Sequence, residues 1–192
     1  YGNLHILIPM ISTKEEIVSV KKIIKELKKD LDASGIPYGN YQLGIMIEVP
    51  SAVMLADALA KEVDFFSIGT NDLIQYTFAA DRTNENLSSY YQPCHPVILQ
   101  MISRVTQAAH DAKIPVSVCG EMASSLIQGP LLLGLGVDEL SMTPSEILKM
   151  RRVLHLNSYE ILCQTAQNVL KYDSEEHVLR EIKKWIVLEG DS

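Results

Sequence analysis

Apolar positions along the chain alternate between continuous short runs and helical stripes. Leu4-His5-Ile6-Leu7-Ile8-Pro9-Met10-Ile11 is a compact apolar run that stops at Ser12-Thr13. Thr13 followed three residues later by Glu16 is a capping-box pattern. It predicts a helix with Ile17, Val20, Ile24, Leu27 and Leu31 on one stripe. Six lysines lie off that stripe and read as a solvated outer face, and Gly35 and Pro37 end the helix.

The same unit recurs. Leu43 to Val49 is a buried-strand pattern ending in the carboxylate Glu48, and Pro50-Ser51-Ala52 opens a short helix through Leu55, Ala56 and Leu59. Asp64 to Gly69 is a third strand, running into Thr70-Asn71-Asp72 and another short helix. A polar, Asn-rich loop covers Asp81 to Cys94. Pro96 then stands where a first-turn proline belongs, opening a helix with Ile98, Met101, Ile102, Val105 and Ala109. Pro115 to Cys119 and Val137 to Ser141 are the fourth and fifth strands. Helices are predicted from Ser145, from Ser158 and after Ser174. Leu133-Gly134-Leu135-Gly136-Val137 lacks a third glycine and precedes a strand, so it reads as a turn rather than a dinucleotide fingerprint.

Continuously apolar strands separated by helices mean parallel βα units. A doubly wound sheet and a (β/α)8 barrel both fit that pattern. The unusual residues decide between them. Glu48, Asn71-Asp72, Cys119-Gly120-Glu121 and Ser141 all fall just past the carboxyl ends of successive strands. Barrel enzymes assemble their sites at that rim. No glycine-rich dinucleotide turn follows the first strand. The expected fold is therefore α/β, of the (β/α)8 TIM-barrel type. Five βα units and terminal helices are visible where a closed barrel has eight, so residues 1–192 are expected to be the C-terminal part of a barrel whose early strands lie upstream.

Composition narrows the function classes. The chain is 47% apolar and 21% charged, enough to build a core. With 17 Lys+Arg against 24 Asp+Glu the net charge is -7, which argues against a nucleic-acid partner because phosphate neutralisation needs a basic face. No apolar run reaches the roughly 18 residues of a membrane span, and no signal-like segment opens the chain. Cys94, Cys119 and Cys163 are odd in number and lack CxxC spacing, so neither a disulfide framework nor a zinc knuckle is expected. These features point to a cytoplasmic protein.

Candidate chemistry sits at the rim. Glu48 is an acid in an apolar strand, and burying a lone carboxylate costs several kcal/mol, roughly, unless it is paired or bound to a metal. Asp72 stands at the same rim one unit later. Two hard oxygen ligands suit Mg2+, which keeps waters and takes further ligands from a phosphorylated substrate; a rim salt bridge for each acid is the alternative. Asn71 and Asp72 begin a helix whose amides can bind an anion, although Asn71 fits equally as a helix cap. Arg82 lies in the loop above, either forking onto an anion or simply solvated. Cys119 reads as an acid-base group or nucleophile, or else as a buried apolar cysteine. His95 reads as a cap, and Cys163 as a core or partner-facing residue of an amphipathic helix.

Together the segments GIMIEVPSA (Gly44 to Ala52), FFSIGTNDLIQYTFAADRTNE (Phe65 to Glu85), YQPCHPVIL (Tyr91 to Leu99) and VCGEMA (Val118 to Ala123) resemble enzyme I of the bacterial phosphoenolpyruvate:sugar phosphotransferase system. The resemblance extends over LLLGLGVDELSM (Leu131 to Met142) and so over nearly the whole chain. It implies that Glu48 and Asp72 are Mg2+ ligands. It implies that Asn71, Asp72 and Arg82 bind phosphoenolpyruvate, and that Cys119 is the proton donor that turns the enolate of pyruvate into pyruvate. The implied activity is Mg-dependent transfer of the phosphoryl group to a histidine and on to a histidine-containing phosphocarrier protein.

None of the five histidines lies in anything like the family's phosphohistidine motif, which belongs to a separate N-terminal domain. Further phosphate-binding arginines of the family sit on early barrel strands that this chain does not carry. The chain alone is therefore expected to be inactive. The position of Cys94 is usually aliphatic in the family. Two alternatives are a fragment of phosphoenolpyruvate synthase or pyruvate, phosphate dikinase, and a non-catalytic dimerisation module. The family forms homodimers through its barrel domain, and Leu154, Leu156, Ile161, Leu162, Val169 and Leu170 supply apolar surface, though packing onto their own barrel accounts for most of them.

Overall fold

The computed structural model describes residues 2–81 and 83–187. Five strands form one parallel sheet in consecutive order: β1 (Leu4–Ile8), β2 (Tyr41–Ile47), β3 (Phe65–Gly69), β4 (Val116–Cys119) and β5 (Glu139–Leu140). A doubly wound sheet reverses direction at a switch point. Here every crossover steps the same way, and right-handed crossovers stepping one way place all their helices on one face. That is the winding of a (β/α)8 barrel, and this chain supplies five consecutive units of it. Among the described residues the sheet is open, with β1 and β5 at its edges.

The helices are α1 (Lys14–Ala33), α2 (Pro50–Met54), α3 (Ala56–Leu59), α4 (Thr70–Phe78), α5 (Pro96–Asp111), α6 (Glu121–Ser124), α7 (Gln128–Gly134), α8 (Pro144–Leu156), α9 (Tyr159–Val169) and α10 (Glu175–Trp185). Side chains on one face of each strand meet them. Leu43, Ile45 and Ile47 of β2, Phe66 and Ile68 of β3, and Val116 and Val118 of β4 are buried there and make the core. Because strand side chains alternate, His5, Leu7, Gln42, Met46, Phe65, Ser67, Ser117 and Cys119 line the opposite, inner face, with the Phe65 ring over Gly44.

Local chemistry sets the ends of these elements. Glu16 accepts from the Ser12 and Thr13 amides at 2.7 and 2.9 Å, as the capping box predicts. His95 caps α5 through Nδ1, which accepts from the Val97 amide at 3.2 Å. Ser158 and Ser174 cap α9 and α10. β1 ends at Ile8 rather than Ile11, because Pro9 has no amide hydrogen and Met10 turns to φ 57°. Two aspartates fix the register of the sheet. Asp64 Oδ2 accepts from the Leu43 amide at 2.7 Å while the Asp64 amide donates to the Leu43 carbonyl. Asp138 does the same to Val116 at 2.9 Å.

Two expectations change. The Leu133–Val137 stretch is not only a turn: α7 runs through Gly134, and the reversal comes at Gly136 with φ 96°. Gly134 lets α7 approach the backbone of α9 at Leu162, a contact that no side chain would permit. The α1 stripe is also less buried than its periodicity suggests. Only Ile17 is fully covered and Leu27 is 56% exposed, because α1 flanks the edge strand β1. In the terminal helices Leu162 and Val169 pack inward, whereas Leu156 and Ile161 stay exposed.

Candidate active site

Four loops at the carboxyl ends of β1 to β4 converge on one place. Glu48 is the first residue past β2 and is only 3% exposed despite its charge. Met10, past β1, aims its amide at the carboxylate: the left-handed turn at this residue brings Met10 N to 2.7 Å from Glu48 Oε1. Glu48 is also within hydrogen-bonding reach of the Asp72 side chain in the first turn of α4. Burial pushes the Glu48 carboxyl above its usual range, the nearby Asp72 charge adds to this, and the Met10 amide opposes it.

Two acids held together, one of them buried, repel unless a proton or a cation lies between them. Among the described residues neither forms an ion pair with a Lys, Arg or His. No group of three or more His, Cys, Asp or Glu that could cage a metal occurs among the described residues either. A pair of carboxylates with no nitrogen or sulfur ligand beside it is a donor set for Mg2+, which retains waters and shares a substrate's oxygens, and not for zinc. The residues present therefore fit that ion.

Asn71 is not a cap. Gly69 holds the N-cap position of α4, and Asn71 lies in the first turn beyond it. Its Oδ1 accepts from the Glu121 amide at 3.2 Å and from the Tyr91 hydroxyl at 3.4 Å. The amide NH2 is thus the end left to offer donors to a ligand. Gly120, at φ 99°, makes this junction possible. A Cβ there would lie 2.6 Å from Thr70 Oγ1 and 2.9 Å from Asn71 Oδ1. Thr70 Oγ1 in turn donates to the Cys119 carbonyl at 3.0 Å, tying the start of α4 to the end of β4.

Cys119 closes β4, partly exposed, with its thiol donating to the Ile68 carbonyl at 3.5 Å. Burial pushes this thiol up, Ser67 opposes the rise, and the charges of Glu48 and Asp72 add to it. A thiol that holds its proton at neutral pH suits proton donation and not attack as a thiolate. The Asp72 charge bears on Glu48, and both charges bear on Cys119, so the three side chains lie near one another. Arg82 lies outside the described residues. Sequence reasoning missed the Met10 amide, Thr70, Ser67 and Tyr91. The last three stand inside the motif segments; nothing in the order of residues marks the Met10 amide.

The family model for the PEP-binding domain of PEP-utilising enzymes matches residues 1–158. The chain belongs to the PEP-utilising enzymes. Among curated PEP-utilising relatives, it is 46% identical over 186 residues to the phosphoenolpyruvate-protein phosphotransferase of Listeria monocytogenes, covering 96% of this chain and 32% of that protein. It is 45% identical over 185 residues to the protein of the same name from Bacillus subtilis, with coverage of 96% and 32%. The chain thus spans about a third of the length of these PEP-utilising relatives. Among solved structures, a citrate lyase from Burkholderia xenovorans superposes with a TM-score of 0.56 at 16% identity, covering 95% of this chain and 62% of that one. That likeness concerns the fold alone and agrees with the barrel winding. Among the described residues, no helix is long and apolar enough to cross a membrane.

Proposed function

We propose that this chain is the phosphoenolpyruvate-binding part of an enzyme I-type phosphoenolpyruvate-protein phosphotransferase of the cytoplasm. The observation that carries the reading is the adjacency of Glu48 and Asp72 at the carboxyl-end rim of the sheet, with Asn71 and Cys119 at the same rim. The names of the 46%-identical relatives favour it over a synthase or dikinase.

Glu48 and Asp72 would hold Mg2+, which neutralises charge on the phosphate and on the enolate as it forms. The remaining work falls to this chain's own groups. Asn71, its NH2 oriented by the Tyr91 and Glu121 bonds, donates to the phosphate. The amides at the start of α4 add their dipole to that end of the substrate. Arg82 forks onto the remaining oxygens. A histidine from outside this chain takes the phosphoryl group, which then passes to a histidine-containing phosphocarrier protein. Transfer breaks the bridging P–O bond and leaves the enolate, whose terminal carbon receives the Cys119 proton. That protonation gives pyruvate and draws the transfer forward.

The test follows pyruvate from phosphoenolpyruvate and Mg2+ in the full-length protein with a phosphocarrier acceptor. Turnover without nucleotide is the expected result, together with none from residues 1–192 alone. A requirement for ATP or AMP would assign the chain to the synthase or dikinase branch instead.

A further inference from the structure

Ser67 is a polar residue where packing asks for none. It lies on β3 between Phe66 and Ile68, which are fully buried on the helix side, and its own side chain faces the barrel interior at 5% exposure. In the ladder Ser67 pairs with Ser117 and Gly69 with Cys119, so Ser67 is the diagonal neighbour of Cys119 on the same face. The two serines of this row differ in what they touch. Ser117 donates to the backbone carbonyl of Phe66 at 3.4 Å, a bond within the sheet. Ser67 Oγ instead donates to Cys119 Sγ at 3.8 Å.

From this geometry we infer that Ser67 is a positioning residue for the thiol: it holds the Cys119 sulfur in place and steadies the thiolate left after the proton has moved. The inference rests on the reading of Cys119 as proton donor. In that step the S–H bond breaks and its electron pair stays on sulfur. The enolate's pair forms the new C–H bond, and solvent water later returns a proton to the sulfur. The thiolate is poorly placed without help, because the sulfur is partly buried and the Ile68 carbonyl that accepted the S–H now opposes it. Besides the cysteine's own amide, the Ser67 hydroxyl is the donor among the described residues that meets the sulfur. A hydrogen bond to a charged atom is stronger than one to a neutral atom, so this bond stabilises the state after proton transfer more than the state before it.

The experiment is a double-mutant cycle in the full-length protein, following pyruvate formation from phosphoenolpyruvate. Ser67→Ala is expected to lower kcat on the order of ten-fold with KM little changed. Ser67→Thr, which keeps the hydroxyl, restores most of the rate. In a Cys119→Ala background, Ser67→Ala has no further effect. An undiminished kcat in Ser67→Ala, or the same loss repeated without Cys119, would overturn the positioning role while leaving the proton donor intact. A Cys119→Ala protein that forms pyruvate at the normal rate would remove the donor reading, and the role of Ser67 with it.

Discussion

Gly69 and Glu48 share one space: a Cβ at residue 69 would lie 2.6 Å from Glu48 Oε2 and 3.0 Å from Glu48 Cβ. The φ of Gly69, -87°, is open to any residue, so backbone freedom is not why glycine stands there. The room is kept for the carboxylate. Gly69→Ala should fold, yet push Glu48 off its position and weaken Mg2+ binding roughly ten-fold, as changes around metal ligands do. Calorimetric titration of the variant checks this, and unchanged affinity would mean that the carboxylate tolerates displacement.

The three cysteines should separate under alkylation. Cys94 is 0% exposed, and burial, followed by the Glu175 charge, pushes its thiol up to about 12. It fills an apolar position as an apolar side chain would. Cys163 is partly exposed, and Cys119 is partly exposed with its thiol raised by burial. Iodoacetamide at neutral pH should label Cys163 first and Cys119 slowly, and should reach Cys94 only in denaturant. Peptide mass spectrometry reads the order; native labelling of Cys94 would contradict the packing.

Asp64 and Asp138 act as paired clasps, each accepting from the amide of a residue whose carbonyl it also engages. Alanine at either position leaves a strand amide without its partner and should cost about 1–2 kcal/mol. The sites lie on different strand pairs, so the two losses should add. Asp138→Ala should cost more, since Asp138 Oδ2 also meets His110 Nε2 at 3.1 Å. Urea denaturation of the single and double variants measures all three.

Glu181 anchors the last helix. Lys184, then the Trp185 and Tyr172 donors, hold its carboxyl below the ordinary value of 4.5 against the opposing effect of burial. A lowered acid contributes stability that is present above its unfolded value and lost as pH falls through its folded value. Melting temperatures should therefore drop on acidification below that ordinary range, and Glu181→Gln should be less stable at about pH 7 with a shallower acid slope. An identical slope in the variant would place the acid sensitivity elsewhere.

Much of this was legible in the order of residues. Buried strands announce themselves as unbroken apolar runs, and rim residues as polar interruptions at their ends; Glu48, Asp72 and Cys119 follow from those facts. For Asn71 two readings stand open, anion site or helix cap; the structure removes the cap, because Gly69 holds that position and Asn71 Oδ1 accepts from Tyr91 and Glu121, 20 and 50 residues away. Helix α7 was hidden by Gly129, Pro130 and Gly134, residues that weaken a helix locally but permit close packing. Ser67 was invisible for a related reason: serine within a strand carries no signal until its neighbour across the ladder is known.

Glu48 and Asp72 are proposed to grip one divalent ion together. Calorimetric titration of Mg2+ into the full-length protein, with phosphoenolpyruvate present, tests it most directly. Saturable binding that both Glu48→Gln and Asp72→Asn abolish is the predicted result. Binding at unaltered affinity in either variant would contradict it.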